Sequence, residues 1–183
     1  MNRGLVVVIP VMIAALAGVS TAEAQLRPWQ ISIAGGPSFA TGEFSDQAGT
    51  GYNVQGSVGF SLPLLPFGVR GDLFWQELPD EEDGWFRQIG GLLNAVFEVP
   101  LVIVQPYGLV GGGVLRTDTP DVDHTGHVHT GESETTVGLN AGLGIEFPFA
   151  GLGGFVEARY LNLVGGGDAT HFQSIPVTIG IRF

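Results

Sequence analysis

The feature that most constrains this chain is an apolar alternation of period two, recurring along most of its length and cleanest at its end. Through the stretch IPVTIGIRF, Ile175, Val177, Ile179, Ile181 and Phe183 are apolar, whereas Pro176, Thr178, Gly180 and Arg182 are small or polar. Successive side chains of a strand point to opposite faces, so this stretch predicts a strand with one wholly apolar face. Residues 52–62 repeat the pattern, with Tyr52, Val54, Val58, Phe60 and Leu62 against Asn53, Gln55, Ser57, Gly59 and Ser61. Residues 135–147 set Val137, Leu139, Ala141, Leu143, Ile145 and Phe147 against Gly138, Asn140, Gly142, Gly144 and Glu146. Further strands are predicted over about 28–34, 69–76, 85–99, 106–116 and 156–161, bounded by Gly, Pro, Asp and Asn. That makes eight.

Two features decide what the apolar faces meet. The connections after the first, third, fifth and seventh strands (40–50, 77–84, 117–132 and 165–168) are mostly long, polar or acidic. Those after the second, fourth and sixth are short, apolar and carry proline. Short turns at one end and longer loops at the other are the asymmetry of a barrel in an outer membrane, with both termini periplasmic. Aromatic residues on the apolar faces also fall at two heights. Trp29, Phe60, Phe97, Tyr107, Phe147 and Phe183 are expected outward at the periplasmic rim, and Tyr52, Trp75, Trp85 and Tyr160 at or near the outer one. Two aromatic girdles flanking an aliphatic band suit rings placed at headgroup level. A soluble calyx would reverse the faces, with its apolar side inward.

The expected fold is therefore all-β: an eight-stranded antiparallel up-and-down transmembrane β-barrel, preceded by a cleavable signal peptide. Lipid offers no partner to an open strand edge, so the last strand must pair with the first. Glycines on the inward faces (Gly59, Gly90, Gly108, Gly112, Gly138, Gly142, Gly144 and Gly180) suit the narrow interior that eight strands enclose. Residues 1–24 read as the signal peptide. Arg3 supplies its basic start, Leu5 to Val19 its apolar run and Ala22-Glu23-Ala24 its small-x-small cleavage site, leaving 25–183 as the barrel domain. The net charge of −11 and the absence of lysine argue against a nucleic-acid partner. Without cysteine there is neither a disulfide framework nor a thiolate metal site, and no cofactor is expected.

Several stretches together resemble the small OmpA/OmpX-type outer-membrane β-barrel family. They are the signal sequence, Pro106-Tyr107-Gly108 opening the fifth strand, Glu157-Ala158-Arg159-Tyr160 in the seventh, and the terminal Pro176 to Phe183. The resemblance covers essentially the whole chain after the signal and implies an outer-membrane location; surrounding outer-membrane lipid and a monomer are expected. It also implies that Ile179, Ile181 and Phe183 are read by the barrel-assembly machinery.

Candidate chemistry is sparse. Arg70, Asp72, Glu98, Glu146, Glu157, Arg159 and Arg182 share the inward faces, where a charge must be paired or wet. They are expected to form a salt-bridge network plugging the lumen, with a narrow channel for ions or small solutes as the alternative. Arg87 is expected outward, which is tolerable only near the outer rim. His124, His127 and His129, with Asp121 and Asp123, offer imidazole and carboxylate ligands for a transition metal, although their spacing fits no closed structural zinc site. The acidic residues Glu77, Asp80, Glu81, Glu82 and Asp83 read as a solvated face. An enzyme acting on lipid would need a serine beside an oriented histidine. His171 and Ser174, three apart on a strand, face opposite ways. The expected role is therefore structural or surface-interacting, exercised through the loops, and not enzymatic.

Overall fold

A computed structural model describes residues 28–61, 65–80, 84–101, 103–118, 122–124, 127–129, 133–149, 152–164 and 172–183. The strands in chain order are β1 (Trp29–Ala40), β2 (Thr50–Ser61), β3 (Phe67–Pro79), β4 (Trp85–Glu98) and β5 (Gln105–Asp118). They continue as β6 (Val122–His124), β7 (His127–His129), β8 (Ser133–Phe149), β9 (Leu152–Val164) and β10 (Gln173–Arg182). All but β6 and β7 close into one antiparallel barrel of eight strands, each paired with its neighbour in the chain and β10 returning to β1. The seam runs from Ser32↔Arg182 to Ala40↔Ser174. Reciprocal backbone bonds between Ile31 and Phe183 (3.3 and 2.8 Å) extend it to the last residue.

The strands alternate with the lipid-facing phase. Val54, Leu139 and Ile179 are 44, 52 and 68 % exposed, while Gln55, Gln76, Gln88 and Asn94 are buried inside. An apolar belt of this extent around the barrel suits contact with hydrocarbon. Aromatic pairs mark both margins. At the end bearing the termini, Trp29 packs edge-on to Phe60 (4.8 Å between ring centroids) and Phe67 lies against Phe97 (5.2 Å). At the other end Tyr52 meets Trp75 at 5.2 Å and Trp85 at 6.2 Å.

Three expectations need correction. Tyr107 is not part of the girdle: it points into the barrel and is buried. With it the phase of β5 inverts, so Gly108 and Gly112 lie on the outer face, where an added Cβ would touch the lipid-facing side chains of Leu143 and Leu139. The physical reason is a run of three glycines at 111–113, which carries no face preference, between two apolar sets. Leu109 and Leu115 are inside, whereas Val110 and Val114 are outside. Second, β1 continues six residues past Ala34, through Gly35-Gly36-Pro37. Third, the segment between β1 and β2 is not simply a polar loop. It contains a 3-10 helix, Gly42–Asp46, begun by a glycine at φ 63°, and it turns Phe44 into the barrel mouth, fully buried. The segment between β5 and β8 likewise holds the two-stranded β6–β7 hairpin. The proposed signal peptide, residues 1–24, lies outside the described residues.

Candidate functional site

The barrel interior is stacked in layers, because inward residues two apart on a strand rise together along the axis. Nearest the termini, Arg182 pairs with Glu146 and lies 3.5 Å from Glu98. Its guanidinium sits 5.7 Å from the ring centres of both Tyr107 and Phe155.

The next layer is a closed ionic quartet. Arg70 grips Glu157 with two terminal nitrogens at 2.8 and 3.0 Å, and its Nε lies 3.0 Å from Asp72. Arg159 reaches Asp72 through Nη1 at 2.7 Å and Glu157 through Nε at 2.5 Å. Tyr107 donates its hydroxyl to Glu157 at 2.7 Å, and Asn94 donates to Asp72 at 2.9 Å. Two arginines balance two carboxylates, so the quartet is neutral. All four side chains are at least 96 % buried, and buried charges persist only when paired and hydrogen-bonded in this way.

Above the quartet lies an apolar layer of Phe74, Leu92, Leu115, Leu161 and Leu163. A polar layer follows, in which Gln76 bonds Gln88 (2.5 Å), Ser174 (3.1 Å) and Ser38 (3.1 Å), and Asn53 donates to Ser38 (3.0 Å). The outer mouth is filled by Phe44, Ala48, Leu78 and Phe86, with Phe172 packed against them. Phe44 and Phe172 meet edge-on at 4.7 Å.

All seven inward charges named from the sequence thus fall into two groups, Arg70–Asp72–Glu157–Arg159 and Arg182–Glu98–Glu146. Tyr107 and the apolar layers were missed. A pattern search for polar residues inside has no means of finding a phenol or leucines there. Arg87 faces outward at the rim away from the termini, its side chain 56 % exposed, with Nε 2.6 Å from Glu77, which also accepts a 2.6 Å bond from Tyr52. Arg116 is the neighbouring case on β5, 57 % exposed, bonded to Asp118 at 3.0 Å and Ser133 at 2.8 Å.

Of the histidine group, the β6–β7 register sets His124 opposite His127 and Asp123 opposite Val128, with His129 opposite Val122. Asp121 lies outside the described residues. Ser174 is buried against Gln76 in the lumen, and His171 lies outside the described residues. Ile179 and Ile181 face outward on β10, and Phe183 closes the seam beside them.

A closed eight-stranded barrel, apolar outside and ionic within, is the architecture of small outer-membrane proteins. The chain belongs to the outer membrane protein beta-barrel domain family, which matches it over residues 8–183, and its location is the cell outer membrane. Solved structures share the fold at low identity. Neisserial surface protein A matches with a TM-score of 0.65 and 13 % identity over 85 % of this chain and 96 % of its own. Ail, the attachment invasion locus protein of Yersinia pestis, gives 0.52 and 21 %, covering 85 % and 97 %. The outer membrane enzyme PagL gives 0.54 and 13 %, covering 84 % and 98 %. A search of curated protein sequences finds no match to the chain.

Proposed function

We propose that this protein is a closed, non-conducting barrel that serves the outer membrane as a structural and surface-contact element, acting through its extracellular segments. The observation that carries this reading is the filled cross-section. A neutral ionic quartet sits beneath an apolar layer, and the extracellular mouth is stoppered by Phe44 and its neighbours. An ion crossing in either direction would have to displace buried, ion-paired charges and cross layers of hydrocarbon, each step opposed by desolvation. Planar-bilayer recording of the refolded protein tests it. Silence is the expected result, and reproducible single-channel steps would favour the channel reading instead. The likeness to PagL is one of fold, and no reaction is proposed from it.

The last strand supports a second element of the reading. Ile179 and Ile181 are exposed on the outer face, and Phe183 forms the seam with Ile31. We infer that these three residues are what the barrel-assembly machinery reads, and that the assembled protein is a monomer. The His124, His127, His129, Asp121 and Asp123 group remains a proposal for a transition-metal ligand set, tested by isothermal titration with zinc and nickel.

A further inference from the structure

Two prolines stand in the barrel wall where the ladder needs a donor. Reciprocal bonds join Ile31 to Phe183, and the Thr41 N–H donates to the Gln173 carbonyl, so the odd positions of β1 turn their backbone groups toward β10. Pro37 shares that parity and has no N–H to give. The seam is interrupted accordingly: pairing runs to Gly35↔Ile179 and resumes at Ser38↔Pro176. The register is the same on both sides of the gap, so there is no bulge. The other side of the strand is untouched, with β1 and β2 paired continuously from Trp29↔Phe60 to Phe39↔Thr50. Pro176 is the converse case. Even positions of β10 turn toward β9, as the bond from the Leu163 N–H to the Phe172 carbonyl shows, and the gap falls between Ser174↔Leu161 and Val177↔Ala158.

Proline within a sheet is confined largely to edge strands, strand starts and bulges, and a closed barrel has no edge. Pro37 therefore fits a state in which β1 is an edge. That state exists before closure, when β1 and β10 bound an open sheet. The free side of β1 then offers backbone donors and acceptors at Ile31, Ile33, Gly35 and Phe39, beside the apolar outward side chains of Ile31, Ile33 and Phe39. Such an edge is a template for a second copy of the chain. The common guard, a charged side chain, does not suit β1, whose outward face meets hydrocarbon once the barrel forms. The strand contains no charged residue. Proline interrupts pairing and is apolar.

We infer that Pro37 is an edge guard of the assembling barrel. It divides the free edge of β1 into two short runs, so that β1 pairs with β10 of its own chain in preference to an edge of another copy. Closure within one chain has a high effective concentration on its side and survives the loss of one seam hydrogen bond. Pairing between two chains lacks that advantage. The inference is independent of whether the lumen conducts.

The test is refolding from urea into detergent micelles over a series of protein concentrations. Size-exclusion chromatography separates monomer from oligomer, and a cold gel scores heat-modifiable barrel. Pro37→Val and the smaller Pro37→Ala are expected to reach the wild type's oligomer fraction at about fivefold lower protein concentration, the effect of one added hydrogen bond on the association of two copies. The monomeric barrels they form should unfold at a urea midpoint no lower than that of the wild type, since the seam regains a donor. Pro176→Val restores a donor toward β9 and not on the free edge of β1, so it should leave the concentration dependence unchanged. Three results overturn the inference: an unchanged oligomer fraction in both Pro37 variants, an equal shift in Pro176→Val, or Pro37 variants whose barrels have a lower midpoint or do not form. The last would make Pro37 a stabiliser of the closed seam.

Discussion

Four donors converge on one carboxylate at Glu157: two from Arg70, one from Arg159 and the hydroxyl of Tyr107. Glu157→Ala would leave two buried guanidiniums to share Asp72 alone. Truncating one partner of a buried ionic group costs about 3–5 kcal/mol, more than any surface change in this chain should. Urea titration of the protein refolded in detergent should show that loss as a lower midpoint. Tyr107→Phe keeps the ring and removes one bond to a charged acceptor, so its expected cost is smaller, about 1.5–3 kcal/mol. If Tyr107→Phe is neutral, the phenol is a spacer and not a member of the network. The charges were legible in the sequence because Arg70, Asp72, Glu157 and Arg159 sit on strands whose alternation fixes their side. Tyr107 was not, because an aromatic residue at a strand end reads equally as girdle or as lumen. Only its hydroxyl, which needs a partner when buried, distinguishes the two.

Among the elements, β1 shows most clearly where pattern reading stops. Its first half alternates, and its second half is Gly35-Gly36-Pro37, which punctuates most sequences. The strand continues because the seam with β10 needs it, and the ladder resumes at Ser38↔Pro176 beyond the interruption. Gly36 is required there: a Cβ would fall on the backbone carbonyl of Val177 across the seam. Gly36→Val should therefore reduce the fraction of heat-modifiable barrel on a cold gel and lower its urea midpoint. Gly56→Val, with open space around it, should leave both unchanged or raise the midpoint, since β-branched residues suit strands. Equal effects at the two sites would mean that the seam tolerates side chains its geometry excludes. The 3-10 helix between β1 and β2 was illegible for another reason. Phe44 is one apolar residue among polar ones, and nothing local says that it folds back over the mouth to meet Phe86 and Phe172.

For the molecule as a whole, the eight strands, their up-and-down order and the outward direction of the apolar faces could be read directly, because period-two alternation and loop asymmetry are global signals. The layering of the lumen could not, since it depends on stagger between strands far apart in sequence. The membrane assignment rests on which way the strands face. The chain has no cysteine, so single nitroxide labels can be placed without background in protein reconstituted into bilayers. Labels at Leu139→Cys and Ile179→Cys are predicted to collide freely with lipid-dissolved oxygen and hardly with a water-soluble nickel chelate. Labels at Asn140→Cys and Thr178→Cys, one residue on or back, should be shielded from lipid oxygen. The opposite pattern, with the leucine and isoleucine sites shielded and their polar neighbours in contact with the surroundings, would contradict it.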